Sequence, residues 1–114
     1  MTERRRHVRF STSLSTFCSL VGKSLTRFRS DVTDLSREGA RILSRETLEK
    51  GSGLDIELKI PGDNIPVFAS GEVRWSKKET SGNALSGVRF TKIDPGDRTK
   101  LLEYLYKNWL ESKL

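Results

Sequence analysis

The clearest alternation in the chain is Leu54-Asp55-Ile56-Glu57-Leu58-Lys59-Ile60, with every leucine and isoleucine on one side and every charge on the other. A period of two is the strand period, so the segment predicts a strand with one wet face. Pro61-Gly62-Asp63-Asn64 is strong turn chemistry, and the run from Ile65 to Ser76 is expected to return antiparallel as the second half of a hairpin. Pro66 suits the start or edge of that strand, and Gly71 suggests a bulge or bend within it. Further strand-like runs lie at Leu14 to Val21, Thr26 to Val32, Ala40 to Leu43 and Ala84 to Ile93. In the second of these, Phe28 and Val32 share one face while Arg27, Arg29 and Asp31 share the other.

The period changes at Asp94-Pro95, where Asp94 fits a helix N-cap and Pro95 the first helical position. Leu101, Leu102, Leu105, Tyr106, Trp109 and Leu110 then recur at intervals of three and four, predicting a C-terminal amphipathic helix over about 95–112. Its apolar stripe is expected to dock on a barrel mouth or sheet edge, with a partner surface as the alternative. Residues 1–12 are polar, basic and without period, as a flexible N-terminal arm would be. The expected fold is therefore mainly β: a small six-stranded antiparallel β-barrel over 13–114, ending in one helix and preceded by the arm.

Length and charge narrow the function. At 114 residues the chain holds one core and no second domain. A net charge of +6 points to an anionic partner, and half of that surplus lies in residues 1–10, where Arg4, Arg5, Arg6 and Arg9 face only Glu3. A single cysteine, Cys18, excludes an internal disulfide and fits a reducing compartment. No apolar run of signal-peptide or membrane-spanning length is present, so a cytoplasmic location is expected.

Catalysis finds little support. The only histidine, His7, lies in the arm, no His/Cys cluster has metal-ligand spacing, and the glycines at 51, 53 and 82 do not form a phosphate loop. Cys18 falls within a strand and is read as a packed thiol. Neither an enzyme nor a cofactor protein is expected.

Binding is better supplied. Arginine offers a planar fork of donors for phosphate oxygens or for the O6/N7 edge of guanine. A carboxylate does the complementary work, accepting from guanine N1–H and N2–H2. The arginine arm and the stretch Asp34-Leu35-Ser36-Arg37-Glu38-Gly39 therefore describe a guanine nucleotide site in two parts. Read alone, such a stretch is more often a tight turn in which Asp34 or Ser36 bonds the local backbone.

Together the two stretches carry a resemblance. Arg4-Arg5-x-x-x-Arg9 followed by Asp34-x-Ser36-x-x-Gly39 resembles the PilZ domain, the bacterial receptor module for cyclic di-GMP. Lys50-Gly51, Gly71-Glu72-Val73-Arg74-Trp75 and Gly87-Val88-Arg89-Phe90 are similar to the same family pattern, so the likeness spans the chain. The resemblance implies a six-stranded barrel whose arm closes over ligand on the outer wall. Arg4, Arg5 and Arg9 would contact phosphates and guanine edges, Asp34 and Ser36 would hydrogen-bond a guanine, and Gly39 would keep the backbone clear of the ligand. Trp75, as a strand residue, is expected to pack in the core or at a barrel end, with stacking beside the ligand as the alternative.

Ordering a six-residue arm costs roughly 6–12 kcal/mol, so several charge-assisted bonds of about 1.5–3 kcal/mol each are needed to hold it closed. The function implied is a cyclic di-GMP receptor or adaptor signalling to an unidentified protein effector. Two alternatives stand beside it: a basic barrel binding single-stranded nucleic acid through Phe28, Phe68 or Trp75, and a PilZ-like domain acting only by protein contact.

Overall fold

Six strands and one helix form where the hydropathy pattern predicts them. The computed structural model describes residues 10–22 and 27–113 and gives β1 (Phe10–Leu20), β2 (Phe28–Leu35), β3 (Gly39–Ser44), β4 (Gly53–Leu58), β5 (Val67–Lys78), β6 (Ala84–Ile93) and α1 (Pro95–Lys113). Residues 10–12, assigned to the arm by their composition, belong to β1. All pairings are antiparallel, and the sheet closes in the order β1-β2-β3-β6-β5-β4. Closure leaves no unpaired edge among the described strands.

The interior follows from alternation. Leu54, Ile56 and Leu58 of β4 point inward against Val67, Ala69 and Val73 of β5, with Leu14, Val32, Ile42 and Val88 completing the core. Each fully buried aliphatic contributes about 1.5–3 kcal/mol of transfer free energy. Polar positions that face inward are satisfied locally: the hydroxyls of Thr16 and Ser30 bond each other, and the Cys18 sulfur lies 3.3 Å from Ser30 Oγ. Cys18 is wholly buried, which pushes its thiol pKa up from the ordinary value near 9.0, with the Ser30 and Thr16 hydroxyls partly opposing.

Asp94 caps the helix as its sequence suggests, its Oδ1 accepting from the Gly96 amide at 2.8 Å and the Asp97 amide at 3.4 Å. The first half of α1 is tied down. Leu101 and Leu105 are buried, and Lys100 Nζ donates to the Ile65 carbonyl at 3.0 Å and pairs with Asp63 Oδ2 at 2.8 Å. The apolar stripe does not dock along its whole length, however. Tyr106, Trp109 and Leu110 are exposed, with the two aromatic rings stacked at 5.9 Å, because the helix outruns the barrel face that Leu101 and Leu105 cover.

Candidate functional site

Two β-bulges build the site. In β2, Val32 pairs with Ile42 and Asp34 with the next residue of β3, Arg41, so Thr33 is an extra residue in the ladder. Strict alternation from the buried Val32 would send Asp34 inward. The extra residue reverses the phase, leaving Asp34 on the outer wall and Leu35 in the core. In β5, Val73 pairs with Val88 and Trp75 with Gly87, which makes Arg74 the extra residue. Trp75, expected in the core or at a barrel end, is thereby turned outward and is 39% exposed.

The consequence is one row of residues across four strands. Asp34 on β2 pairs with Arg41 on β3, Arg41 with Gly87 on β6, and Gly87 with Trp75 on β5. Arg41 Nε stands 3.5 Å from Asp34 Oδ2, and its Cζ lies 5.9 Å from the centre of the Trp75 ring. The indole lies over Gly87, whose missing side chain makes room for it. Arg74 and Arg89 flank the cleft, Arg74 paired with Glu72 at 3.1 Å, while Arg89 has no ion pair among the described residues. The cleft encloses about 210 Å3, against the roughly 300–1,000 Å3 that engulfs a drug-sized ligand.

Ser36 and Gly39 occupy the β2–β3 corner beside this row. The Ser36 hydroxyl accepts from the amides of Glu38 and Gly39 at 3.3 and 3.4 Å, and the Ser36 amide donates to the Gly39 carbonyl at 2.9 Å. The corner is fastened to β6 by the Phe90 amide, 2.7 Å from the Glu38 carbonyl. In this conformation Ser36 is buried and builds the turn. A Cβ on Gly39 would stand 2.0 Å from the Val88 carbonyl oxygen, so glycine there is required for β3 to approach β6. The structure thus brings Asp34, Ser36 and Gly39 to one corner. Arg4, Arg5 and Arg9 lie outside the described residues; β1 begins at Phe10, which pairs with Leu35 next to that corner.

The sequence profile of the PilZ domain matches residues 3–107 of the 114. The chain belongs to the PilZ domain family.

No curated protein sequence matches this PilZ domain. Solved structures do. It is similar to the inhibitor of motility MotI/DgrA of Bacillus subtilis, with a TM-score of 0.81, 18% identity, and coverage of 99% of this chain and 55% of that one. It is similar to the PilZ domain of YcgR from Escherichia coli, solved with c-di-GMP, with a TM-score of 0.76, 18% identity, and coverage of 97% and 95%. PlzA of Borreliella burgdorferi, also in complex with c-di-GMP, gives a TM-score of 0.65 at 20% identity over 90% of this chain and 41% of that one. The chain thus spans about half the length of MotI/DgrA and nearly the whole of the isolated YcgR domain.

Three arginines that line the cleft of this PilZ domain were given no role by the sequence: Arg74 and Arg89 stood only within stretches similar to the family pattern, and Arg41 was not singled out, its place beside Trp75 being set by cross-strand register. Gly87 carried a signal, since a glycine inside a strand marks close approach, but not what approaches. Among the described residues no group of three or more His, Cys, Asp or Glu is placed to hold a metal ion, and no helix is long and apolar enough to cross a membrane.

Proposed function

We propose that this PilZ domain is a receptor for cyclic di-GMP that passes ligand binding to a protein partner. The observation that carries the reading is the row Asp34–Arg41–Gly87–Trp75 on the outer wall. Each member suits one part of a guanine dinucleotide. The indole is a flat platform for a purine, the Asp34 carboxylate complements N1–H and N2–H2, and arginines suit the phosphates. Arg4, Arg5 and Arg9, which precede β1 in the chain, supply further forks, and Ser36 and Gly39 shape the corner on which the base edge rests. The solved PilZ relatives with bound c-di-GMP favour the same ligand.

The geometry speaks against single-stranded nucleic acid. A stacking track needs aromatics in succession along one groove. Phe28 packs on the core, and the two exposed aromatics of β5, Phe68 opposite Glu57 of β4 and Trp75 opposite Gly87 of β6, stand seven residues apart on the strand, about 20 Å, so they do not stack successive bases.

With no catalytic apparatus in this reading, the output is a changed surface presented to another protein in a bacterial cytoplasm. The test is isothermal titration of the full chain with cyclic di-GMP, with GTP, cyclic di-AMP and short poly-dT as controls. Saturable binding of cyclic di-GMP alone is expected, and it is expected to vanish when residues 1–9 are removed while thermal unfolding stays cooperative. Binding of poly-dT with no response to cyclic di-GMP would overturn the reading.

A further inference from the structure

The wall formed by β1 and β4 lies across the closed barrel from the β3–β6 seam that carries Arg41 and Gly87, and it has a pattern of its own. One row runs through Arg29 on β2, Phe17 on β1, Glu57 on β4 and Phe68 on β5, each paired with the next. Phe68 is 56% exposed, and the partly exposed Phe17 ring lies under Arg27 at 4.2 Å, Arg29 at 5.5 Å and Lys59 at 5.6 Å. Single apolar side chains on a surface are ordinary, but two aromatics in one row of a charged wall mark a contact face.

The charges decide what that face fits. Asp31 is opposite Ser15, and the Lys59 amide donates to the Ser15 carbonyl at 3.3 Å, so Asp31 and Lys59 flank the row on one side. Asp55 is opposite Ser19, and Arg27 precedes Phe28, the partner of Cys18, so Asp55 and Arg27 flank it on the other. Arg27, Arg29 and Lys59 balance Asp31, Asp55 and Glu57, and the wall favours neither an acidic nor a basic partner. Instead, β2 and β4 each reverse sign across the row. A two-fold axis laid along the row turns one side onto the other, which sets Lys59 against Asp55 of a second copy and Arg27 against its Asp31, twice each. Such self-complementarity is what a two-fold contact between identical chains requires.

The row itself is compatible with that axis. Phe17 and Phe68 meet their own counterparts, and aromatic pairs favour an offset stack. The like charges on the axis are already engaged: Glu57, 25% exposed, pairs with Arg27 at 3.6 Å, and Arg29 lies over Phe17. Asp31 and Lys59, by contrast, have no ion pair among the described residues.

We propose that the β1–β4 wall is a homodimer contact, in which two copies of this chain stack these walls antiparallel about the row Arg29–Phe17–Glu57–Phe68. The contact goes beyond cyclic di-GMP reception and does not depend on it, since the cleft beside Trp75 is left free on the outer side of each copy. Convex barrel walls meet over a limited area, which puts the dimer in the weak class that buries less than about 1,200 Å2.

The experiment is sedimentation equilibrium of the full chain at low salt between about 10 µM and 1 mM, with a charge exchange between copies. Wild type is expected to dimerise with a Kd on the order of 100 µM. Lys59→Asp and Asp55→Lys, both at exposed positions, each set like charges opposite one another twice and are expected to weaken self-association at least about tenfold. Mixed in equal amounts, the two variants carry opposite charges at every facing position and are expected to associate about as strongly as wild type. Thermal unfolding within a few degrees of wild type is expected for both. A wild-type chain that stays monomeric up to 1 mM overturns the proposal, as does a dimer that neither variant weakens, or one lost instead in Trp109→Ala, which would put the contact at the exposed end of α1. Variants that weaken the dimer yet fail to associate when mixed would show that the charges do not face each other in this two-fold order, and would overturn it too.

Discussion

The Trp75 indole covers Gly87 so closely that a Cβ at position 87 would stand 2.2 Å from its Nε1 and 2.4 Å from its Cε2. Those atoms belong to a partly exposed side chain that can swing aside, so Gly87→Ala is expected to leave the barrel folded and the platform displaced. Stacking a base on an aromatic ring contributes about 1–3 kcal/mol. Gly87→Ala and Trp75→Ala are therefore both expected to weaken cyclic di-GMP binding about 5- to 150-fold with little change in melting temperature. Titration beside tryptophan fluorescence checks this, and wild-type affinity in Gly87→Ala would remove the indole from the site.

Gly39→Ala should behave in the opposite way. The atom in its path is the Val88 carbonyl oxygen at 2.0 Å, part of the β3–β6 ladder and unable to move without breaking it. Overpacking a tight site costs typically about 1–3 kcal/mol, and a backbone obstacle puts this case at or above the upper end. Urea denaturation is expected to show a loss of about 3 kcal/mol or more. A stable Gly39→Ala protein that has lost only its ligand would mean that the glycine serves the ligand and not the strand pairing.

The contrast shows what a sequence can and cannot disclose. Alternation at Leu54 to Ile60, turn residues at Pro61 to Asn64 and the Asp94-Pro95 cap are local signals, and strands and helix formed where they stood. Asp34, Ser36 and Gly39 were legible as a group because they share six residues of chain. The outward turn of Trp75 was not, because it depends on one extra residue, Arg74, and a bulge reverses the phase of alternation without leaving a period of its own. Arg41 stayed hidden for another reason: its place beside Trp75 is set by the register of β3 on β6 and of β6 on β5, and β3 is distant in sequence from both; Arg89 reaches the same cleft through the bulged register of the β5–β6 hairpin. The exposed end of α1 was missed because spacing tells which side of a helix is apolar and not how far its support extends.

The buried thiol gives a pH signature. Cys18 has its pKa raised in the folded chain by desolvation, so on raising pH the unfolded chain gives up this proton first. The folded state then binds more protons than the unfolded one, and stability falls as pH rises. The loss is absent at neutral pH, sets in near the ordinary value of 9.0 and continues until the folded thiol itself ionises. Its slope approaches about 1.4 kcal/mol per pH unit at most. Melting temperatures of wild type and Cys18→Ala compared from pH 7 to 10 should diverge in slope only above about pH 9, and parallel curves would show that the thiol titrates alike in both states.

Asp34 ought to matter for choice of ligand more than for stability. Its ion pair with Arg41 joins a half-buried carboxylate to a guanidinium that is 38% exposed, at a separation of 3.5 Å, and surface pairs of this kind contribute about 0–1 kcal/mol. Asp34→Ala is thus expected to melt within a few degrees of wild type. Its effect on binding is specific to the base, since a carboxylate accepts from guanine N1–H and N2–H2 and finds no such pair of donors on the corresponding edge of adenine. Loss of two hydrogen bonds to a charged acceptor, about 1.5–3 kcal/mol each, predicts a drop in cyclic di-GMP affinity of at least about 150-fold. Affinity for cyclic di-AMP, which never made those bonds, should stay level or rise. Competition titrations with the two dinucleotides give the ratio directly; a ratio unchanged by Asp34→Ala would leave the carboxylate as a strand-pairing partner of Arg41 and move guanine recognition elsewhere on the wall.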